Sequence, residues 1–229
     1  MALEVHPELH PGRSFAGFLF DMDGTILSSI ASAERIWAVW ARAHGLDVES
    51  FLPTIHGVQS VETIRRLGLP GVDPVQEAAR ITEAEIADAE GVQPIPGADD
   101  FLAALPPARW GIVTSAPRAL AQARLRAAGL PLPGVMITAE DAPRSKPEPD
   151  GYRLAAERLG AQAADCLVFE DAPAGIAAGE AAGAALVVIT ALHRHPLATP
   201  HPAVTDFRGL QGVAHPEGRL SLTLRADLG

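Results

Sequence analysis

The sequence is poor in positive charge, and Lys146 is its only lysine. Lysine and arginine together number 18 against 28 aspartates and glutamates, so the formal net charge is -10 at pH 7. A protein of that charge repels nucleic acids and anionic membranes. The composition therefore excludes a broad electrostatic partner of either kind, but a small anionic substrate could still bind beside a metal ion.

Cysteine is also scarce. Cys166 is the only one, so the chain cannot form an internal disulfide. It lies in the apolar run CLVF, where a buried structural thiol is expected rather than a reactive one. The first residues, MALEVHPELHPGRS, lack the pattern of a secretory signal. We therefore expect a cytoplasmic protein.

No hydrophobic run is long enough to predict a membrane span. The longest weakly polar run, GIAAGEAAGAALVVITAL from residue 175, is interrupted by Glu180 and rich in glycine and alanine. Such a run suits a packed helix and strand. We expect no membrane and no nucleic-acid partner, and a monomer or weak homodimer.

Five short apolar runs bounded by turn residues predict buried strands of a parallel sheet. They are FAGFLF (15–20), WGIVT (110–114), VMIT (135–138), CLVFE (166–170) and ALVVIT (185–190). Helical segments alternate with them, at 117–130 and 150–160 among others. This order predicts a doubly wound α/β fold, with AVTDF and GRLSLTL forming a last strand and a small hairpin.

About 90 residues separate the first two runs, although a crossover needs only about a dozen. Their patterns are helical, and Ile36, Trp37 and Trp40 fall on one face of the first helix. We therefore predict an all-helical cap domain at 29–92, inserted into a core domain formed by 1–28 and 93–229.

Polar residues follow the apolar runs, at the edge where open α/β sheets bind their ligands. DMDGT follows the first run, TSAP the second and EDAPAG the fourth, while RSKPEPD comes some way after the third. We expect four carboxylates, one hydroxyl and the sole lysine to meet at this edge. These residues are Asp21, Asp23, Glu170, Asp171, Thr114 and Lys146.

The carboxylates predict a site for a hard cation. Asp21 and Asp23 are two residues apart on a strand extension, so their side chains tend to share a face and to repel, which raises one pKa. Oxygen ligands with few nitrogens favour Mg2+ over zinc. The alternatives are that DMDGT is an ordinary turn and that Asp171 only caps a helix ahead of Pro173.

Two further segments predict phosphate binding. Thr114 precedes a helix that Pro117 opens, so its hydroxyl and the backbone N–H groups of Ser115 and Ala116 could hold a phosphate at the helix N-terminus. A threonine that merely ends a strand is the alternative. Lys146 lies in a proline-stiffened loop, with Asp150 as the expected cap of the next helix; a solvated lysine is the alternative there.

The ordered segments FLFDMDGT, IVTS, SKPEPD and VFEDAPAG resemble the haloacid dehalogenase superfamily of phosphotransferases. The helical insertion after the first motif is similar to that of the branch containing β-phosphoglucomutase and small sugar phosphatases. AERIWAVWARAHGL and IHGVQS are most similar to bacterial sugar or hexitol phosphatases. The resemblance runs over nearly the whole chain.

The resemblance implies a role for each residue. Asp21 would be the nucleophile that forms an aspartyl-phosphate, and Asp23 the general acid and base. Mg2+ would be held by Asp21, the backbone carbonyl of Asp23, Asp171 and Glu170, the last directly or through water. Thr114 and Lys146 would bind the transferring phosphoryl group. A compact ammonium would fit between Asp21 and the phosphate where the planar fork of arginine would not.

Departures from the family pattern indicate which of the family's reactions to expect. The hinge pair is Ser28-Ser29, where many relatives have Asp-Ser. Ala33 stands where mutases of this branch carry a histidine, and the segment HGVQS, where their arginine for the distal phosphate would align near Ser60, contains no arginine. These differences favour hydrolysis over phosphate transfer within a sugar, and Asp23 argues against dehalogenation.

We therefore expect a Mg2+-dependent phosphatase of small phosphorylated sugars or sugar alcohols. His56, Gln59 and Ser60 would contact the non-reacting end of the substrate, unless they form only a solvated turn. The alternatives are a sugar phosphomutase, a phosphoglycolate or nucleotide phosphatase, and a non-catalytic phosphate-binding protein.

Overall fold

The computed structural model describes residues 9–55 and 58–224, which form ten strands and eight α-helices. The strands are β1 Gly17–Phe20, β2 Leu27–Ser28, β3 Gln93–Pro94, β4 Trp110–Val113, β5 Val135–Ile137, β6 Cys166–Glu170, β7 Ala185–Ile189, β8 Ala203–Val204, β9 Leu210–Ala214 and β10 Leu220–Leu224. The helices are α1 Ile30–Ala43, α2 Val48–Phe51, α3 Ser60–Leu67, α4 Pro74–Ala87, α5 Ala98–Ala103, α6 Arg118–Ala127, α7 Asp150–Arg158 and α8 Pro173–Ala182.

Six strands form one parallel sheet in the order β5-β4-β1-β6-β7-β8. Every residue of β1, β4, β6 and β7 is buried, as expected for strands covered on both faces. The five predicted runs are confirmed as strands, with ends within two residues of those expected. β8 and the antiparallel β9–β10 hairpin lie in the predicted last strand and hairpin region. The doubly wound α/β fold is confirmed.

Side chains alternate between the two faces of β1 and build separate apolar clusters. Phe18 and Phe20 pack on one side with Phe101, Phe169 and Phe207. On the other side, Leu19 belongs to a cluster that includes Val113, Tyr152 and Val168. The clusters fix β1 at the centre of the molecule, and with it the position of the residues that follow Phe20.

Cys166 is fully buried in this second cluster, which confirms that its thiol is part of the packed interior. Burial, and then the charge of Asp165, raise the pKa of the thiol to about 11. The thiol therefore stays protonated at neutral pH, and the structure gives it no reactive character.

The helices α1, α2, α3 and α4 pack around their own apolar cluster. Its largest members are Trp37, Trp40, Phe51, Ile64 and Ile81. We call residues 29–92, which include these helices, the helical insertion. It begins directly after β2 and ends directly before β3, and these two short strands pair antiparallel, with Leu27 opposite Pro94 and Ser28 opposite Gln93.

In the part of the chain that the structure describes, no helix combines the length and the apolar character needed to cross a membrane.

Candidate active site

The carboxyl ends of β1, β4 and β6 bring the first polar residues together. Phe20 pairs with Phe169 in the sheet register, so that Asp21 follows β1 beside Glu170, the last residue of β6. The backbone N–H of Asp21 donates to the carbonyl of Phe169 at 3.0 Å. Register alone therefore fixes the neighbourhood of these two carboxylates, both of which are buried.

Lys146 lies between these two carboxylates. Its Nζ contacts Asp21 Oδ1 and donates to Glu170 Oε1 at 2.6 Å, and it lies 5.3 Å from the centre of the Tyr152 ring. The side chain is only 11% exposed. Burial by itself would lower the pKa of Lys146, but the two negative charges raise it above its ordinary value. The ammonium is thus charged throughout the physiological range.

Glu170 is held by protein on both of its oxygens. Oε1 also accepts from the hydroxyl of Tyr152 at 2.7 Å, while Oε2 accepts from the backbone N–H groups of Asp171 at 3.0 Å and Ala172 at 3.3 Å. A Cβ at Gly175 would lie 1.6 Å from Oε1, so only glycine fits there. These contacts favour an anchoring role for Glu170 towards Lys146, whatever its contact with a metal.

Three carboxylates form a group that could hold a cation. Asp21, Glu170 and Asp171 each offer an oxygen, and these atoms lie within 4.8 Å of one another. Thr25, which the sequence did not single out, can donate at 3.2 Å to either Asp21 Oδ2 or Asp171 Oδ1. Gly24, with φ +97, brings the backbone so close that a Cβ would meet Asp171 Oδ2 at 2.1 Å.

The electrostatics of this group fit a hard divalent cation. Burial, followed by the charge of Glu170, raises the pKa of Asp21 to about 7. Burial and the charges of Asp21 and Glu170 raise the pKa of Asp171 well above its usual range. Two buried carboxylates and the half-buried Asp171 lie near one lysine, and oxygen donors of this kind are the ligands that Mg2+ prefers.

The expected repulsion between Asp21 and Asp23 contributes least of the named causes of the raised Asp21 pKa. The side chain of Asp23 has other partners. Its Oδ1 accepts from Ser29 Oγ at 2.6 Å and lies 3.0 Å from Arg124 Nη1. The carboxylate of Asp23 is outside the three-member group just described. Sharing a strand extension therefore did not give the two aspartates a shared environment.

Arg124 and Glu85 were both missed in the sequence. Arg124 lies on α6 and Glu85 on α4, and their side chains approach to 3.2 Å between Nη2 and Oε1. Each is buried on the apolar face of its helix, Arg124 next to Leu125 and Glu85 one turn after Ile81. A charged residue at an apolar position of the helical pattern was the available signal.

One of the two backbone donors predicted for the phosphate site before α6 already has a partner. The N–H of Ala116 already donates to Thr114 Oγ1 at 3.1 Å. The helix begins at Arg118, with Pro117 as its cap, and the N–H of Arg118 donates to Glu140 at 3.0 Å. Thr114 and Ser115 still line the cavity, but this helix N-terminus is already bound by a carboxylate.

The predicted helix cap at Asp150 was wrong, and the alternative role of Asp171 as a cap is not seen either. Ala172, not Asp171, is the residue before α8, and Asp150 is the first residue of α7 rather than its cap. Asp150 instead accepts from Arg144 at 2.7 Å. The loop that carries Lys146 is thus joined to the start of α7 by an ion pair, and Asp171 has no capping role that would compete with metal binding.

A cavity of about 230 Å³ opens beside these groups. Its walls include Asp21, Asp23, Thr114, Ser115, Lys146, Glu170 and Asp171 from the sheet edge, and Ala33, Trp37, Ile55, Gln59, Ser60 and Glu85 from the helical insertion. Gln59 precedes α3 and Ser60 begins it. His56 lies outside the described residues.

The chain is similar to known proteins over most of its length. A family model described as haloacid dehalogenase-like hydrolase matches residues 15–183. Hexitol phosphatase A of Escherichia coli is 44% identical over 195 residues, covering 83% of this chain and 88% of that protein. 2-deoxyglucose-6-phosphate phosphatase 2 of Saccharomyces cerevisiae is 36% identical over 196 residues, covering 75% of this chain and 78% of that protein.

A solved structure also matches the fold. It is a mutant of CbbY from Rhodobacter sphaeroides in complex with xylulose-(1,5)bisphosphate, with a TM-score of 0.71 and 25% identity. The match covers 84% of this chain and 95% of that one. Together with the relatives, it confirms the resemblance that the four motifs suggested.

Proposed function

This chain belongs to the haloacid dehalogenase-like hydrolase family and is a phosphatase, and from that premise we propose that it hydrolyses phosphomonoesters of small sugars or sugar alcohols. The observation that carries the proposal is the buried Asp21 carboxylate, held by Lys146 at the wall of a small cavity. The relatives named for hexitol and 2-deoxyglucose-6-phosphate support the substrate class.

In the proposed reaction, an Asp21 oxygen attacks phosphorus and the bond from phosphorus to the sugar oxygen breaks. Asp23 gives its proton to that departing oxygen. Asp23 then takes a proton from water, whose oxygen attacks the aspartyl-phosphate. Inorganic phosphate leaves and the Asp21 carboxylate is restored.

Lys146 and Thr114 have an orienting role in this proposal. Lys146 already contacts Asp21 and is charged, so it can hold the nucleophile while its remaining donor capacity meets phosphoryl oxygens. The Thr114 hydroxyl lines the same cavity. Glu170 Oε1 accepts from the ammonium and also from the Tyr152 hydroxyl. Tyr152 thus fixes the carboxylate that keeps the ammonium in place.

The residues suited to hold Mg2+ are Asp21, Asp171 and the backbone carbonyl of Asp23, with Glu170 in direct or water-mediated contact. The support for this set is the close group of three carboxylates and the raised pKa values of Asp21 and Asp171. When bound, the cation would neutralise charge on the phosphoryl group and on the carboxylates.

The walls of the cavity favour a substrate with one phosphate. Among the described residues that line it, Lys146 and Arg124 carry the positive charges, and each is already paired with two carboxylates. The part formed by the helical insertion offers neutral polar groups, Gln59 and Ser60, beside apolar ones such as Trp37. A polyol chain matches this surface better than a second phosphate, so hydrolysis is favoured over a mutase reaction.

We further propose that 29–92 is a separate cap domain on a core formed by 1–28 and 93–229. Its own apolar cluster and the β2–β3 pair at its base support this division. Its contribution to the cavity wall gives it a part in substrate choice.

The function is tested by measuring phosphate release from a panel of phosphorylated metabolites, with Mg2+ or with EDTA. We expect turnover of hexose or hexitol monophosphates that EDTA abolishes, and weaker turnover of phosphoglycolate and nucleotides. Preferred hydrolysis of a nucleotide, or full activity in EDTA, would contradict the proposal.

Gln59→Ala is expected to change the ratio of kcat/KM values among sugar phosphates by about tenfold, while p-nitrophenyl phosphate changes much less. Hydrolysis of this small aromatic ester depends on the residues at the sheet edge and not on the cavity wall at Gln59. Steady-state phosphate release measures both. Gln76→Ala, an exposed position of the same insertion, is the control; equal losses on every substrate would argue against a specificity role.

Mg2+ is expected to raise the melting temperature more at about pH 8 than at about pH 5. The folded pKa of Asp21 is raised from 3.8 to about 7, so its contribution to stability is full below 3.8 and is lost as the pH rises through about 7. At the higher pH, a bound cation would offset the repulsion among the ionised carboxylates of Asp21, Glu170 and Asp171. Thermal melts of wild type and Asp21→Asn, with and without Mg2+, isolate the contribution of Asp21. If the rise in melting temperature caused by Mg2+ does not depend on pH in either protein, the expectation is wrong.

A further inference from the structure

Arg124 links two parts of the molecule through a buried guanidinium. It lies on α6 of the sheet-based part and is 8% exposed. Nη1 lies 3.0 Å from Asp23 Oδ1, and Nη2 lies 3.2 Å from Glu85 Oε1 on α4 of the helical insertion. In this arrangement the two terminal nitrogens of one planar guanidinium each pair with a different carboxylate.

Burial of these charges is costly unless they are paired. Glu85 is 4% exposed, and burial raises its pKa while the positive charge of Arg124 opposes the rise. In return, the charge of Glu85 balances that of Arg124. Arg124 can therefore hold Asp23 without placing an uncompensated positive charge in the cavity wall.

Both contacts of the Asp23 carboxylate fall on one oxygen. Ser29 Oγ donates to Oδ1 at 2.6 Å and Arg124 Nη1 lies 3.0 Å from the same oxygen, while no hydrogen bond to Oδ2 is present among residues 9–55 and 58–224. A hydrogen bond from Ser29 and the ion pair with Arg124, both on Oδ1, hold the carboxylate in one rotation about its bond to Cβ. Oδ2 is left as the oxygen that can exchange a proton with a ligand in the cavity.

We propose that Arg124 is a positioning residue that fixes the orientation of Asp23, and that Glu85 holds the guanidinium in place for this task. This inference rests on the proposed function, because it takes Asp23 as the group that protonates the departing sugar oxygen. It adds two residues that contact neither phosphate nor metal in that reaction.

The leaving group provides the test. A sugar alkoxide is strongly basic and needs a well-placed proton, whereas p-nitrophenolate leaves without one. General acid catalysis contributes about 10²- to 10⁴-fold. For Arg124→Met, we expect kcat/KM for a hexitol phosphate to fall at least about tenfold further than kcat/KM for p-nitrophenyl phosphate.

The matched control is Arg126→Met on the same helix. Arg126 is exposed, and its only recorded side-chain contact among the described residues is to Gln122 at 3.5 Å. We expect this variant to keep both rates within about threefold of wild type, since the exposed Arg126 side chain is not part of the cavity wall. Glu85→Gln, which frees the guanidinium from its charged partner, should show the same preferential loss as Arg124→Met, but smaller.

Folding is checked by circular dichroism and thermal melts. If Arg124→Met does not fold, the combined variant Arg124→Met/Glu85→Gln replaces it, because that variant leaves no unpaired buried carboxylate at position 85. Equal losses on the two esters, or no loss on either, would overturn the positioning role and leave the phosphatase function standing. A wild-type protein inactive on both esters would overturn the proposed function and this inference with it.

Discussion

Asp21→Asn is expected to lower kcat/KM for a sugar phosphate by at least about 10³-fold, as removal of a catalytic nucleophile does in other enzymes. The amide keeps the size of the side chain and can still meet Lys146 and Thr25, but it is a poor nucleophile. The measurement is release of inorganic phosphate by the purified variant, at a protein concentration high enough to detect residual turnover.

The folded state of this variant is expected to survive. Asn removes one charge from a buried group of carboxylates in which burial and Glu170 already raise the pKa of Asp21. Its melting temperature without cation should therefore equal or exceed that of wild type near pH 8. Asp99→Asn, at an exposed position outside the cavity wall, is the control. Substantial activity in a folded Asp21→Asn protein would rule out the covalent mechanism.

Lys146→Arg is expected to lower kcat/KM by at least about 100-fold, or roughly 2.7 kcal/mol of transition-state stabilisation. The ammonium occupies a narrow space between Asp21, Glu170 and the Tyr152 ring. A guanidinium is larger and planar, so it displaces one of these partners or the phosphate. Steady-state kinetics with a hexitol phosphate measures the loss.

Arg144→Lys serves as the reciprocal control in the same loop. Arg144 is 59% exposed and pairs with Asp150 and Glu148, contacts of a kind that are worth little at a surface. It should leave kcat/KM within a few-fold of wild type. If Lys146→Arg also stays within a few-fold, positive charge alone suffices at position 146, and the single lysine has no geometric role.

The residues at the sheet edge were predictable because each one depends only on the sequence of its own strand. An apolar run predicts a buried strand, and the polar residue that follows it must lie at the carboxyl end. Asp21, Thr114 and Glu170 were found in this way. Lys146 was found from its rarity, and its contact with Asp21 agrees with the expected placement.

The remaining contacts depend on how helices dock, which no single segment encodes. Arg124 and Glu85 come from α6 and α4, and they meet only because the helical insertion packs against the sheet-based part. The hydroxyl of Tyr152 reaches Glu170 from α7 for the same reason. The cap predicted at Asp150 was misplaced by one residue, and its carboxylate accepts from Arg144 instead of capping α7.

The β2–β3 pair has a consequence for how the chain can change over generations. Ser28 and Gln93 are direct partners, so the two ends of the intervening segment leave the sheet side by side. The segment between them starts and ends at neighbouring positions and so has no gap to bridge. Its length and sequence are therefore not constrained by the β2–β3 pair. Closing a longer loop costs only about 0.6 kcal/mol for each doubling of its length. Insertions, deletions and wholesale replacement between these two positions can therefore be sampled while the residues that follow β1 and β6 stay in register.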